Sequence, residues 1–160
     1  QGMTIGGNGN VPTLPNSWPY LWAGQARDIT TSPPDVIVTN MGYNDNTTDT
    51  TTAWTALLNA WLAATPATTT IVLLNPYSGR QATYLQAAAA ACSAPRRVVW
   101  VDTTGWWSSA DSYDGIHPYG YASLSQIAPK AAAAILAALR RGRVYRIGSS
   151  GPQLISPTRR

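Results

Sequence analysis

Asp35-Val-Ile-Val-Thr-Asn-Met-Gly-Tyr-Asn-Asp45 is the stretch that decides how this chain folds. Val36, Ile37 and Val38 form a β-branched run set between Pro33-Pro34 and Gly42. An apolar run without alternation, punctuated at both ends, reads as a buried strand over residues 36–41. Ile71-Val-Leu-Leu74, ending at Asn75-Pro76, and Val98-Val-Trp-Val101, ending at Asp102, read the same way. After the first strand comes a polar Thr/Asn/Asp loop at 45–52. Trp54, Leu57, Leu58, Trp61 and Leu62 then recur at i, i+3, i+4, i+7 and i+8, the apolar stripe of a helix that stops before Pro66. Residues 81–92 suit a second helix. Tyr121, Leu124, Ile127, Ala128, Ala131, Ile135 and Leu139 line a last one, which Pro129 should kink or divide. Alternating strands and helices with continuously apolar strands predict an α/β fold, a parallel sheet covered on both faces. Residues 6–34 are rich in Gly, Asn, Pro and Trp, and a short helix is expected to start at Leu21-Trp22, after Ser17. No internal repeat is visible.

With 160 residues, 44% of them apolar, the chain has one domain's worth of material and enough for a core. The net charge of +4 is unevenly spread. Residues 1–139 carry Arg27, Arg80, Arg96, Arg97 and Lys130 against seven aspartates, a balance of −2. The other six positive charges lie in a basic tail at 140–160. A basic tail of this kind is usually a solvated terminus, and with only Tyr145 among its arginines no nucleic-acid partner is expected. The single cysteine, Cys92, excludes an internal disulfide and falls in an alanine-rich helical run, where a thiol acts as a small buried apolar group. One His and one Cys are too few for a structural zinc site, and no Asp-rich loop points to an all-oxygen cation site. No apolar run approaches ~18 residues, so no membrane span is expected. The Ala, Thr and Arg bias resembles that of GC-rich bacterial coding.

Two short blocks carry chemistry. Gly42-Tyr-Asn44-Asp45 stands at the carboxyl end of the first strand, where open α/β sheets bind ligands. It reads either as an ordinary Gly/Asn turn or as a side-chain amide aimed at an oxyanion. Asp114-Gly-Ile-His117-Pro118 holds the only histidine. A lone histidine is commonly a surface or core residue with no chemical role. A carboxylate three residues before it changes that balance, because it can fix the imidazole tautomer and leave the second nitrogen as a general base.

Together the two blocks resemble the SGNH, or GDSL-type, hydrolase family. Gly42-Tyr-Asn44-Asp45 looks like its G-x-N-D block and Asp114-Gly-Ile-His117-Pro118 like its D-G-x-H-P block. Gly2-Met-Thr-Ile-Gly-Gly7 is similar to the glycine block that precedes them. The resemblance covers roughly residues 1–139 and implies a three-layer, flavodoxin-like domain. The family's nucleophile sits in a Gly-Asp-Ser block after its first strand, and no Gly-Asp-Ser occurs in this sequence. The resemblance therefore implies that this chain is the C-terminal portion of a larger domain, with the first strand and its serine supplied from elsewhere, such as a companion chain. Within the chain, Gly148-Ser149-Ser150-Gly151 offers Ser150 as a weak substitute in a permuted position. Ser108, Ser109 and Ser112 read as loop hydroxyls.

The resemblance assigns His117 as general base, Asp114 as its orienting carboxylate with Asp111 a weaker candidate, and Asn44 and the Gly2 N–H as oxyanion donors together with the N–H of the absent serine; Gly6 or Gly7 could take the place of Gly2. Asp45 is expected to cap the following loop or helix. Tyr43, Trp106, Trp107, Tyr113 and Tyr119 are expected near the substrate; stacking on sugar rings, walling an acyl pocket and packing the loop all remain open for them. The expected activity is that of a serine esterase acting on a small acyl ester such as acetyl, on a carbohydrate, without a cofactor, in a secreted bacterial protein. Short-chain lipid or aryl esters are the second substrate class. A different class is a binding protein that keeps the fold and a carbohydrate surface but has no nucleophile. Ester hydrolysis and its loss on His117→Ala discriminate the two.

Overall fold

The structure, a computed structural model, describes residues 2–4, 11–22, 24–141, 145–148 and 151–154. Helix α1 (Leu14–Ser17) is a single turn with proline in its first positions, where the missing N–H costs nothing. Strands β1 (Tyr20–Trp22) and β2 (Gln25–Ala26) then pair antiparallel around Gly24 at φ 80°. The helix expected at Leu21-Trp22 is thus a strand, and the helix lies a few residues earlier; Tyr-Leu-Trp is a β-favouring triplet, and Pro19 ends the turn before it.

The body of the fold is β3 (Val36–Thr39), α2 (Thr51–Ala64), β4 (Thr70–Leu74), α3 (Ala82–Ala91) and β5 (Val98–Val101). The three strands form a parallel sheet in the order β3-β4-β5, with Ile37 opposite Ile71 and Ile71 opposite Val98. Side chains alternate across β4. Ile71 and Leu73 join Trp54, Leu57, Leu58, Trp61, Leu62, Leu85 and Ala88 in the core under α2 and α3. Val72 and Leu74 face the other way, with Val36, Val99, Val101, Ala131, Ile135 and Ala138. All five residues of the α2 stripe are buried, and so is Cys92.

The sheet is closed at its base by Arg97. Its guanidinium donates to the Thr69 carbonyl at 3.1 Å, the Leu62 carbonyl at 3.2 Å, the Thr65 hydroxyl at 2.8 Å and the Thr65 carbonyl at 3.4 Å. These include carbonyls at the end of α2 that have no partner within the helix.

The last helical run comprises α4 (Gly120–Ala122), a π-helical segment at Ser123–Ile127 and α5 (Ala128–Arg141). The widened turn lies immediately before Pro129, whose ring and missing N–H disturb the ladder one turn back. The proline is absorbed as a π segment and the helix is not divided. The wider turn also rotates the buried face. Ala122 and Ile127, five residues apart, point inward, while Tyr121 and Leu124, expected on the apolar face, are 57% and 76% exposed. Gly120–Arg140 is long and apolar enough to cross a membrane by length and composition, with 17% of that stretch buried. It qualifies on mean hydropathy alone, since Ser123, Ser125, Gln126 and Lys130 interrupt it and leave no continuous apolar run of that length. In this fold α5 lays Ala131, Ile135 and Ala138 on the sheet.

Within the basic tail, β6 (Tyr145–Gly148) pairs antiparallel with β7 (Gly151–Leu154). Ser150 lies outside the described residues.

Candidate active site

Each strand of the sheet delivers a loop at its carboxyl end. After β3, Gly42 at φ 108° reverses the chain into a 3-10 turn, Tyr43–Asp45. After β4 comes Asn75-Pro76-Tyr77-Ser78, and after β5 a long loop, 102–119, carries the Asp114–His117 block. A cavity of about 280 Å³ opens among all three, lined by Tyr43, Tyr77, Ser78, Trp107, Ser109, Gly115 and Ile116. A larger groove of about 600 Å³ runs along the β3 edge between Trp18, Leu21, Ile29 and Met41. The larger groove touches no residue of the loop after β5. The smaller cavity borders both blocks, Tyr43 being next to Asn44 and Ile116 next to His117, although Asn44 and His117 themselves do not line it.

The Asp114 block is a compact turn. Asp114 Oδ1 accepts the Ile116 N–H at 2.9 Å and the His117 N–H at 2.8 Å, while Oδ2 lies 2.6 Å from His117 Nδ1. One carboxylate thus folds the turn and orients the ring. The His117 N–H and ring hold the Asp114 carboxyl well below the usual carboxylate range, with the Ile116 N–H adding to the effect. His117 Nε2 bonds to none of the described residues, and the side chain is 65% exposed. The Tyr113 ring stacks on the imidazole with centroids 6.0 Å apart. Asp111 is engaged elsewhere, accepting from the Tyr121 hydroxyl at 2.9 Å and Gln126 Nε2 at 3.0 Å. It therefore does not serve His117.

Asp45 departs from its expected capping role. Its carboxylate, fully buried, turns back to the start of the chain. Oδ2 accepts the Met3 N–H at 2.6 Å; Oδ1 accepts the Thr4 N–H at 2.8 Å and the Thr4 hydroxyl at 2.7 Å. Gly2 fits against it without room for a side chain, since a Cβ there would lie 2.5 Å from Oδ2. Gly2 and Asn44 are thereby brought to the same end of the sheet. The start of α2 has its own acceptor, Asp49 Oδ1, which takes the Thr51 N–H at 2.9 Å.

The expected substrate aromatics separate. Tyr43 and Trp107 line the cavity, with the Arg80 guanidinium 4.4 Å above the Tyr43 ring. Trp106 packs on the α5 side of the sheet, and its carbonyl accepts from Lys130 Nζ at 2.9 Å. Tyr119 stands outside the cavity in a row of rings between Tyr113 and Tyr121, at 6.2 and 5.7 Å. Tyr77 was not anticipated. It lies between the two tryptophans, stacked on Trp106 at 6.5 Å and edge-on to Trp107 at 6.4 Å, and burial pushes its phenol pKa up. Its position at a strand end, after Asn75-Pro76, was the available clue. Ser108 and Ser112 behave as loop hydroxyls, accepting the Ala110 and Asp114 N–H groups at 3.2 Å.

The strand ends are fastened to one another by side-chain amides. Asn40 Nδ2 donates to the Asn75 carbonyl at 2.7 Å, and buried Asn75 Oδ1 accepts the Thr103 N–H at 3.2 Å. Thr103 Oγ1 donates to the Asn75 carbonyl. Gln81, at φ 64°, holds the loop after Asp45 through Nε2 to the Asn46 and Thr48 carbonyls, at 2.8 and 2.9 Å. Among the described residues, no three His, Cys, Asp or Glu side chains gather as metal ligands.

Comparisons with family models, with curated proteins and with solved structures find no match for the chain.

Proposed function

We propose that this chain carries the base and oxyanion half of a serine-type ester hydrolase site, of the SGNH kind that its motifs resemble. His117 Nε2 takes the proton from an attacking hydroxyl and returns it to the leaving alcohol. Asp114 keeps the proton on Nδ1 and stabilises the imidazolium. Asn44 and the Gly2 N–H receive the oxyanion of the tetrahedral intermediate. The hydroxyl comes from outside the described residues, in a companion segment or chain. The ester is small, an acetyl group on a carbohydrate, with the aromatic cavity receiving the part of the substrate next to the scissile bond.

The observation that carries this reading is the 2.6 Å Asp114–His117 contact in a loop that shares one cavity with Tyr43, the neighbour of Asn44. A cavity at the carboxyl ends of parallel strands is the usual ligand position in open α/β sheets. Hydrolysis of p-nitrophenyl acetate and of an acetylated oligosaccharide by the full protein tests it. His117→Ala is expected to reduce both to background; unchanged rates in that variant overturn the proposal.

A further inference from the structure

Asp45 is the only fully buried acidic side chain among the described residues, and the chemistry proposed above gives it no part. A buried carboxylate is costly unless hydrogen bonds compensate it. Here the compensating donors lie 41 and 42 residues away in sequence, in the segment that supplies Gly2. The two oxygens divide the work, Oδ2 to Met3 and Oδ1 to Thr4, so the carboxylate fixes two successive peptides at once. The Gly2 backbone is drawn so close that a methyl group there would collide with both oxygens and Cγ. Asn44, one residue before Asp45, lies in the same 3-10 turn.

We infer that Asp45 is a positioning residue, clamping residues 2–4 against the Asn44 turn so that a backbone N–H and a side-chain amide form one preorganised oxyanion site. This inference rests on the proposed esterase reading and adds to it the residue that sets the site's geometry. The alternative role for a carboxylate so near a developing negative charge is simple repulsion, and the two roles predict opposite signs. Neutralising a repelling charge raises the rate. Loosening a clamp lowers it, because a displacement of about 1 Å in a reacting geometry costs about 10²-fold.

The test is Asp45→Asn, which keeps the size but sets an NH2 against a backbone N–H, together with Thr4→Val and Thr4→Ser. Hydrogen exchange at the Met3 and Thr4 amides is expected to accelerate by about tenfold or more in Asp45→Asn, with Ile71–Leu74 in the central strand unchanged. In the full protein, kcat for p-nitrophenyl acetate should fall about 10²-fold at nearly constant KM. Thr4→Val, which removes one hydroxyl donor, should fall between parent and Asp45→Asn, and Thr4→Ser should restore the parent value. A raised kcat, or unchanged exchange at Met3 and Thr4, overturns the inference. So does a loss confined to melting temperature with kcat intact. Should Asp45→Asn fail to fold, the Thr4 pair decides by the same kcat criterion. The exchange measurement reads the clamp even if His117→Ala leaves hydrolysis unaltered, so failure of the esterase reading stays distinguishable.

Discussion

Exchanging Asp114 for asparagine probes the tautomer on which the proposed chemistry depends. In the parent, Oδ1 holds the turn through two backbone N–H groups, at 2.9 and 2.8 Å, and Oδ2 meets Nδ1 at 2.6 Å. Asparagine keeps one acceptor oxygen, enough for the turn, and replaces the other with a group that only donates. Nδ1 must then accept, which moves the ring proton to Nε2, the position where a base needs a lone pair. In a serine protease the equivalent exchange leaves the geometry intact and lowers kcat about 10⁴-fold. A loss of the same order is expected here, with little change in folding because the His117 side chain is 65% exposed. The assay is direct: there is one histidine in the chain, so the imidazole region of a ¹⁵N spectrum contains a single ring. The parent should show the Nδ1–H tautomer and Asp114→Asn the Nε2–H tautomer, alongside the loss of p-nitrophenyl acetate hydrolysis. An Nε2–H tautomer in the parent, or a variant within about tenfold of parental kcat, refutes the reasoning.

Other perturbations separate site from scaffold. Asn44→Ala should lower kcat by ~10²–10³ with the melting temperature unchanged; a purely thermal effect would place Asn44 in the scaffold. Trp61→Ala empties a buried position in the α2 stripe and should cost roughly 3–5 kcal/mol in denaturant unfolding. Asn75→Ala leaves the Thr103 N–H without its acceptor and should cost about 1–3 kcal/mol in the same measurement; a smaller loss would mean that the strand ends are not coupled through this amide. Because the Asp114 carboxyl is held below its ordinary 3.8, its contribution to stability is present above that pH. It is lost only as pH falls through the lowered folded-state value, so carbonyl ¹³C shifts of Asp114 should stay flat from neutrality to about pH 4. Titration at or above 3.8 would contradict the hydrogen bonding.

Much of the architecture was legible because it rests on periodicity. The apolar runs and the Trp54–Leu62 stripe state their own strands and helix, and the β5 limits agree residue for residue with the run Val98–Val101. The buried strand expected over 36–41 is instead the edge strand β3, which ends at Thr39 and leaves Val38 exposed because, among the described residues, it has a neighbour on one side only. Where periodicity fails, so did the reading. The π segment before Pro129 breaks the 3.6-residue repeat, which is why Tyr121 and Leu124 were placed on the wrong face. The Asp114–His117 contact was readable because both partners sit within one turn. The Asp45 clamp was not, because its donors lie some 40 residues away and nothing local distinguishes a capping aspartate from a long-range one. Tyr77 and the Asn75–Thr103 contact escaped for the same reason: they belong to strand ends that only the sheet brings side by side.

Arg97 has a consequence of its own. One planar cation collects four acceptors from the close of α2 and the entry to β4, at the end of the sheet opposite the cavity loops. A lysine would carry the same charge but concentrate its three donors on a single atom, and it could not span carbonyls spread across that breadth. The foot of the domain is thus laced by geometry more than by charge. Sequence change at the rim, among Tyr43, Tyr77 and Trp107, can retune what the cleft accepts without unpicking the seam beneath it.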